Sequence, residues 1–187
     1  FPDVVDRVVE FALAHRQNGY IQGRPGIGKT SRIEAMLAAK GTAYHYASAA
    51  VLQPEDLSVP FPAKDGKTLE LVPTAKFAET ETLIWIVDEI ARGSRRTQNA
   101  IMEPIQERTL GGEPTNLMFT IALNNPREVA GMKMDVGKND LAQASRFALS
   151  IELDAADIPS ATYLREVYGE DLASPFIEWW EDDLDDI

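Results

Sequence analysis

The sequence predicts an α/β protein in which helices cover both faces of a parallel sheet, and three observations lead to that prediction. Segments with strand character alternate along the 187 residues with segments of helical periodicity. Residues 83–90, LIWIVDEI, are apolar up to an acidic end, which is typical of a parallel strand with helices on both faces. A glycine-rich segment, GRPGIGKTS at residues 23–31, lies between a short strand and a helix.

Apolar residues one helical turn apart predict three helices. The first begins at Pro2 and stops before Asn18-Gly19. The second follows the glycine-rich segment and ends at Gly41, and the third covers residues 95–108. Pro104 lies inside the third helix. Because proline lacks a backbone N–H and clashes with the preceding turn, we expect it to kink or restart that helix.

Short apolar or alternating segments predict the strands of the sheet and two hairpins. The pair Asp65-Gly66, with alternating apolar residues on both sides, indicates one hairpin, and Gly111-Gly112 indicates a second. The remaining segments with strand character are residues 20–22, 42–48, 83–90, 117–126 and 146–153.

The composition excludes several classes of function. The chain has no cysteine and only two histidines, which excludes disulfides, thiol catalysis and cysteine zinc sites and argues against a histidine metal cluster. The longest aliphatic run, residues 83–87, is far shorter than the roughly 20 apolar residues that cross a bilayer. We therefore expect a cytoplasmic protein without a membrane partner.

The net charge of −12 is concentrated at the end of the chain, where residues 178–187 hold six carboxylates and no Lys or Arg. Binding to a phosphate backbone requires clustered basic residues, and the one dense cluster is Arg92, Arg95 and Arg96. Nucleic acid is therefore not favoured as a direct partner. The acidic run, with its two tryptophans, is either a docking peptide for a basic partner or a final helix with an acidic tail.

The glycine-rich segment matches G-x-x-x-x-G-K-[ST], the P-loop or Walker A motif, and the flanking strand and helix give it the required context. In such a loop, backbone N–H groups and the helix N-terminus surround phosphate oxygens. Lys29 then reaches the β- and γ-phosphates of ATP, and the hydroxyl of Thr30 binds Mg²⁺. The alternative is a glycine-rich turn that only caps a helix. The predicted nucleotide-binding residues are Gly23, Pro25, Gly26, Ile27, Gly28, Lys29, Thr30 and Ser31.

Asp88 and Glu89 end the apolar strand, which is where ligands bind in an open α/β sheet. We expect them to face the P-loop as a Walker B pair. Asp88 is then the carboxylate of the Mg²⁺ site, together with Thr30, and Glu89 is the general base that polarises the attacking water. The alternative is an exposed acidic pair at the end of a strand.

Four segments in this order, GRPGIGKT, LIWIVDEI, ALNNP and ASRF, resemble the motifs of AAA+ ATPases. The stretch DEIARGSRRTQNAIMEPIQERTLGG resembles the MoxR-like branch of that family, and the resemblance covers residues 15–153. It implies that Asn125 is the sensor-1 residue, with Asn124 as the alternative if the register differs by one. An amide at this place orients the attacking water or contacts the γ-phosphate. The alternative for the Asn-Asn-Pro segment is a simple turn.

The same resemblance implies that Arg146 is an arginine finger that reaches the nucleotide of a neighbouring subunit. Hydrolysis then requires a homo-oligomer, which by the resemblance is a ring and hexameric. The alternative for Arg146 is a surface ion pair. The resemblance also places the two predicted hairpins at the central pore, where Phe61 either faces a client or packs within its hairpin.

The resemblance implies an AAA+ core at residues 1–153 and a short, reduced lid-like helical segment with an acidic tail at residues 154–187. No sensor-2 motif is recognisable in the second segment. The predicted function is that of an ATP-hydrolysing, chaperone-like protein that remodels or assembles protein complexes with a protein client or adaptor. Two alternatives remain: a nucleic-acid motor or loader, and a scaffold that binds ATP with little hydrolysis.

Overall fold

The computed structural model describes residues 2–78, 81–126, 128–129, 132–133, 147–153, 169 and 174. The helices with defined bounds are α1 (Pro2–His15), α2 (Lys29–Ala39), α3 (Ala75–Ala78) and α4 (Arg95–Glu107), with short 3-10 turns at Pro54–Asp56 and Ile90–Arg92. The strands are β1 (Gly19–Gln22), β2 (Tyr44–Ser48), β3 (Ser58–Pro62), β4 (Leu69–Pro73), β5 (Leu83–Asp88), β6 (Thr109–Leu110), β7 (Glu113–Pro114), β8 (Leu117–Asn124), β9 (Glu128–Val129), β10 (Met132–Lys133) and β11 (Leu149–Glu152).

Five of these strands form a parallel sheet with the order β11-β1-β8-β5-β2. The predicted parallel α/β fold is therefore confirmed. β8 lies between β1 and β5, although it follows both in the chain. The other strands form antiparallel hairpins of β3 with β4, β6 with β7, and β9 with β10.

The three inner strands of the sheet, β1, β8 and β5, are buried on both faces, as the unbroken apolar sequence of β5 predicts. Successive side chains of β5 alternate between two hydrophobic clusters, with Ile84 and Ile86 on one face and Trp85 and Val87 on the other. Helices α1 and α2 cover the first face, and α4 covers the second. The helix residues in these clusters include Val5, Val9, Ile33 and Leu37 on the first face and Ile101 and Ile105 on the second.

Helix α4 runs through Pro104 without ending, so Pro104 does not restart the helix, while the alternative of a kink at Pro104 stays a prediction. Pro104 is buried, as are Ile101 and Ile105 on the face that packs against the sheet. This packing stabilises the helix across the missing N–H of the proline. The helix begins at a side-chain cap, where Ser94 Oγ accepts a hydrogen bond of 3.1 Å from the backbone N–H of Thr97.

Both predicted hairpins are present, and the first has a well-defined tip. The carboxylate of Asp65 accepts hydrogen bonds from the backbone N–H groups of Lys67 and Thr68 at 2.8 and 2.9 Å. Four strands are shorter than predicted: β2 begins at Tyr44, β5 ends at Asp88, β8 ends at Asn124, and β11 covers Leu149–Glu152 of the predicted 146–153. The two-residue delay of β2 follows from the end of α2, because the N–H of Thr42 still bonds to the carbonyl of Leu37.

Candidate nucleotide-binding site

Three neighbouring strands of the sheet end beside one another, and each continues into a predicted motif. Gln22 at the end of β1 is in register with Asn124 at the end of β8. The N–H of Gly23 extends this pairing by one hydrogen bond, of 3.1 Å, to the carbonyl of Asn124. β5 ends at Asp88 on the other side of β8. The carboxyl edge of the sheet thus joins the glycine-rich loop, the acidic pair and the Asn-Asn-Pro segment.

The loop that leaves β1 turns sharply before α2 begins. Gly26 and Gly28 have φ angles of 80° and 79°, in the left-handed region that favours glycine, and Gly28 is the N-cap of α2. A Cβ at Gly23 would lie 3.0 Å from both Ile27 Cδ1 and Leu153 Cβ, so the packing leaves little room for a side chain there. A turn of this kind at a helix N-terminus presents backbone N–H groups and a positive dipole end to an anion.

Lys29 is buried inside this loop and is only 7% exposed. Its Nζ donates hydrogen bonds to the carbonyls of Gly23 at 2.7 Å and Arg24 at 2.8 Å, and to Asn125 Oδ1 at 3.3 Å. Burial lowers the pKa of Lys29 from 10.5 to about 8, although the carboxylate of Asp88 acts in the opposite direction. The ammonium therefore lies where the loop and the end of β8 meet.

Thr30 and Asp88 form the oxygen cluster that the sequence predicts for Mg²⁺. Thr30 Oγ1 donates a hydrogen bond of 3.0 Å to Asp88 Oδ2, which joins the start of α2 to the end of β5. The described residues hold no group of three or more His, Cys, Asp or Glu side chains that could bind a metal. One carboxylate and one hydroxyl nevertheless fit Mg²⁺, because this ion takes its other ligands from nucleotide phosphates and water.

Glu89 leaves the strand in an unusual conformation, with φ and ψ of 51° and 40°. Its carboxylate accepts hydrogen bonds from Ser48 Oγ at 3.4 Å and from the guanidinium of Arg92. Arg92 lies three residues after Glu89, one turn further along the chain, and its side chain is half exposed. The general-base candidate therefore lies beside Asp88, with its carboxylate held between β2 and the short turn at Ile90–Arg92.

Two residues of β2 belong to the site and were missed by sequence reasoning. Tyr46 Oη donates a hydrogen bond of 3.3 Å to Asp88 Oδ2, and Ser48 contacts Glu89 as described above. Burial, together with the Asp88 carboxylate, raises the pKa of Tyr46 to about 12, so its hydroxyl is protonated at neutral pH. The alternating polar side chains of this strand were a signal, but only the placement of β2 beside β5 makes them site residues.

The structure places four further residues of the predicted site. Pro25 and Ser31 are exposed beside the loop. Asn124 is buried at the end of β8, and the side chain of Asn125 contacts Lys29. The geometry thus brings Asn125, rather than Asn124, to the lysine. Arg146 lies outside the described residues. The roles assigned to these side chains in nucleotide chemistry stay predictions.

The basic cluster beside the site is partly engaged in ion pairs. Arg92 pairs with Glu89, and Arg96 Nη2 lies 2.8 Å from Glu55 Oε1. Arg95 is exposed at the start of α4. Two of the three arginines therefore face carboxylates of the same chain. Separately, none of the helices in the described residues has the length and apolar character needed to span a membrane.

A parallel sheet with this strand order, with a loop lysine that reaches the end of β8 and a threonine that reaches the end of β5, defines a P-loop nucleoside triphosphatase of the AAA+ class. The family model of the AAA domain, dynein-related subfamily, matches residues 20–147. The chain therefore belongs to this family of AAA domains. No curated protein matches the chain in a sequence comparison.

Solved structures support the fold. A provisionally assigned ATPase from Cytophaga hutchinsonii superposes with a TM-score of 0.55 at 20% identity, over 90% of this chain and 50% of that one. The Thermotoga maritima RuvB Holliday junction branch migration motor superposes with a TM-score of 0.52 at 19% identity, over 88% of this chain and 46% of that one. At these identities the likeness concerns the fold alone. The chain spans about half the length of these structures.

Proposed function

We propose that this protein is an ATPase of the MoxR-like branch of the AAA+ family, that it uses Mg²⁺-ATP, and that it works as a ring oligomer on protein complexes. Membership of the AAA family supports nucleotide binding and hydrolysis in general. The observation that carries the proposal is the hydrogen bond from Thr30 to Asp88 beside the buried Lys29. Together they supply the cation and phosphate contacts that a P-loop ATPase requires.

In this proposal the P-loop holds the phosphates of ATP. Lys29 exchanges its bonds with the carbonyls of Gly23 and Arg24 for the β- and γ-phosphates, which are stronger acceptors. Thr30 and Asp88 hold Mg²⁺, which neutralises charge that develops on the phosphates during transfer. Thr30 can do so while it still donates to Asp88, because a hydroxyl has one proton and two lone pairs.

Glu89 and Asn125 are proposed to act on the attacking water. Glu89 follows Asp88 directly, so its carboxylate can accept a proton near the γ-phosphate once it separates from Ser48 and Arg92. Asn125 already contacts Lys29, and its amide is suited to orient the same water. Both are proposed as catalytic residues on these positions and on the family resemblance.

The ring oligomer and the protein client are the parts of the proposal that depend least on the geometry of the nucleotide site. Arg146 is proposed to complete the site of a neighbouring subunit in a hexameric ring, and the resemblance of the ASRF segment to the family motif supports this role. A protein client is favoured over nucleic acid because the chain carries a net charge of −12. Phe61, 60% exposed on β3, is a candidate client contact. Residues 1–153 are the proposed core, and residues 154–187 a reduced lid.

The proposal is tested by the rate of ATP hydrolysis as a function of protein concentration, with Mg²⁺ and with EDTA. The specific activity of the parent is expected to rise with concentration, because subunits complete each other's sites. Glu89→Gln should bind ATP and hydrolyse it at a small fraction of the parent rate. Arg146→Ala should lose about 10³-fold or more if it acts as a finger, whereas the control Arg95→Ala, which removes another arginine, should not.

A mixing experiment tests the shared site directly. Arg146→Ala and Lys29→Ala are each expected to be inactive alone, and their mixture should recover activity because some interfaces combine an intact P-loop with an intact finger. Tight ATP binding with negligible turnover at every concentration would contradict the proposal and indicate a nucleotide-dependent scaffold. DNA binding with a steep salt dependence would indicate the nucleic-acid motor instead.

A further inference from the structure

The Asp88 carboxylate has a donor that belongs to neither the P-loop nor its own strand. Asp88 Oδ2 accepts from Thr30 Oγ1 at 3.0 Å and also from Tyr46 Oη at 3.3 Å, while Asp88 Oδ1 accepts from the backbone N–H of Glu89 at 2.7 Å. Three donors from α2, β2 and the end of β5 therefore determine the orientation of one carboxylate.

The sheet explains how Tyr46 reaches this carboxylate. β2 is the edge strand beside β5, and Tyr46 is in register with Ile86, two residues before Asp88. Side chains two residues apart lie on the same face of a sheet, so Tyr46 and the strand end share the α2 side. The tyrosine side chain is long enough to reach along the strand from position 46 to the Asp88 carboxylate, whereas the side chain of a serine or threonine is too short. Tyr46 is 41% exposed, so the contact lies at the mouth of the site.

The hydrogen bond from Tyr46 restricts the one soft torsion of the Asp88 side chain. A terminal carboxylate torsion is broad and roughly two-fold, and without the Tyr46 hydroxyl it is restricted only by Thr30 at Oδ2 and by the backbone N–H of Glu89 at Oδ1. A fixed acceptor at Oδ2 favours cation binding by Thr30, because a proton held toward Asp88 leaves the lone pairs of the Thr30 oxygen available to a cation. A rotated Asp88 would therefore weaken both oxygen ligands.

We propose that Tyr46 is a positioning residue that holds Asp88 and, through it, Thr30 in the geometry that binds Mg²⁺ with the nucleotide. This inference rests on the proposed Mg²⁺-ATP function. Tyr46 acts through Asp88 and is not itself a ligand of the cation. Hydrogen-bonding partners of this kind around metal ligands typically change metal affinity by about 10- to 100-fold. For Tyr46, which is partly exposed and has Thr30 as a co-donor, we expect about three- to tenfold.

The neighbouring tyrosine of the same strand provides a matched control. Tyr44 lies on the same face of β2, two residues earlier, and the pKa of its hydroxyl is raised by burial and by the Glu34 carboxylate rather than by Asp88. Tyr46→Phe and Tyr44→Phe therefore remove the same hydroxyl from the same strand face. Only the first removes a donor to Asp88.

The experiment measures the dissociation constant of the slowly hydrolysed analogue ATPγS by calorimetry, in EDTA and across a Mg²⁺ titration. The parent should bind more tightly with Mg²⁺ than in EDTA. Tyr46→Phe should match the parent in EDTA, lose about three- to tenfold affinity at saturating Mg²⁺, and require more Mg²⁺ to reach half of its effect. Tyr44→Phe should match the parent in both conditions.

Each other outcome has a definite meaning. Parent-like Mg²⁺ enhancement in Tyr46→Phe would overturn the positioning role. Equal losses with and without Mg²⁺ would also overturn it, because the hydroxyl would then support the fold of the site rather than the cation geometry. A parent protein that fails to bind ATPγS, or that binds it without any Mg²⁺ effect, would refute the proposed function itself.

Discussion

Because of Lys29, the free energy of unfolding of the nucleotide-free protein is expected to rise with pH between about 8 and 10.5. The ammonium of Lys29 is buried in the P-loop, and burial lowers its pKa from 10.5 to about 8. Below pH 8 both the folded and the unfolded chain hold the proton, and the folded chain bears the full cost of burying the charge. Between the two pKa values the unfolded chain binds more protons, so the free energy of unfolding increases with pH.

The structure sets an upper limit to this effect. Each pKa unit corresponds to about 1.4 kcal/mol, so a fall from 10.5 to about 8 amounts to at most about 3.5 kcal/mol. Lys29 is only 7% exposed, which limits screening by solvent. Its bonds to the carbonyls of Gly23 and Arg24 favour the charged form and reduce the gain below this limit.

The assay compares urea unfolding of the parent and of Lys29→Met by circular dichroism at several pH values from 7 to 10.5, in EDTA without nucleotide. Lys29→Met also loses hydrogen bonds to the loop, but any change of those bonds with pH comes from the titration of Lys29 itself, so the difference in slope reports the lysine. The parent should gain up to about 3 kcal/mol relative to Lys29→Met across this range. Lys40→Met, which removes an exposed lysine just after α2, controls for general charge effects.

A parent-minus-variant difference that stays flat within about 0.5 kcal/mol from pH 7 to 10.5 would refute the reasoning. So would a difference that falls with pH, since it would require the ammonium to be stabilised by its surroundings. Coincident transitions by circular dichroism and fluorescence are needed for either conclusion, because the comparison assumes two-state unfolding.

Two further predictions concern the hairpins and the first two helices. Gly111 and Gly112 have φ of 62° and 83°, but a Cβ at Gly111 would lie 2.4 Å from Leu71 Cβ whereas one at Gly112 meets nothing within 4 Å. In urea unfolding, Gly112→Ala should lower the free energy of unfolding by about 1 to 2 kcal/mol, because of its left-handed backbone. Gly111→Ala should lower it by about 1 to 3 kcal/mol more, because its Cβ also meets Leu71. Equal losses would contradict the close contact between the hairpins. Arg32 bonds to Asp6 through Nε at 2.8 Å and Nη2 at 2.6 Å, which joins α2 to α1. A double-mutant cycle with Arg32→Met and Asp6→Asn should give a coupling of about 1 kcal/mol, because the paired side chains are 24% exposed; additivity within about 0.3 kcal/mol would show that the pair is not coupled.

The P-loop was predictable because its requirements are local. Gly26 and Gly28 adopt left-handed conformations within the loop itself, and α2 starts at the lysine of the motif. Asp88 was predictable for a similar reason, since a buried parallel strand that ends in a carboxylate needs no partner to be recognised. The hairpin at Asp65 follows from its own side chain, which bonds to the backbone of the next few residues.

Errors of prediction arose where packing overrides a local rule. Pro104 has the chemistry of a helix breaker, yet α4 continues because the helix face with Ile101 and Ile105 is buried against the sheet. Tyr46 and Ser48 were read as ordinary strand residues. The sequence of β2 does not predict which strand will lie beside it, and the roles of Tyr46 and Ser48 depend on that neighbouring strand.

The sequence by itself determined the elements and the residue types of the site, since hydrophobic periodicity, turn glycines and the P-loop spacing act over a few residues. Only the tertiary structure decided the strand order, with β8 between β1 and β5 and β2 at the edge. That order brings Asn125 to Lys29 across 96 residues of chain and Tyr46 to Asp88 across 42. Contacts at such separations depend on how all the elements bury their apolar faces together, which no local segment specifies.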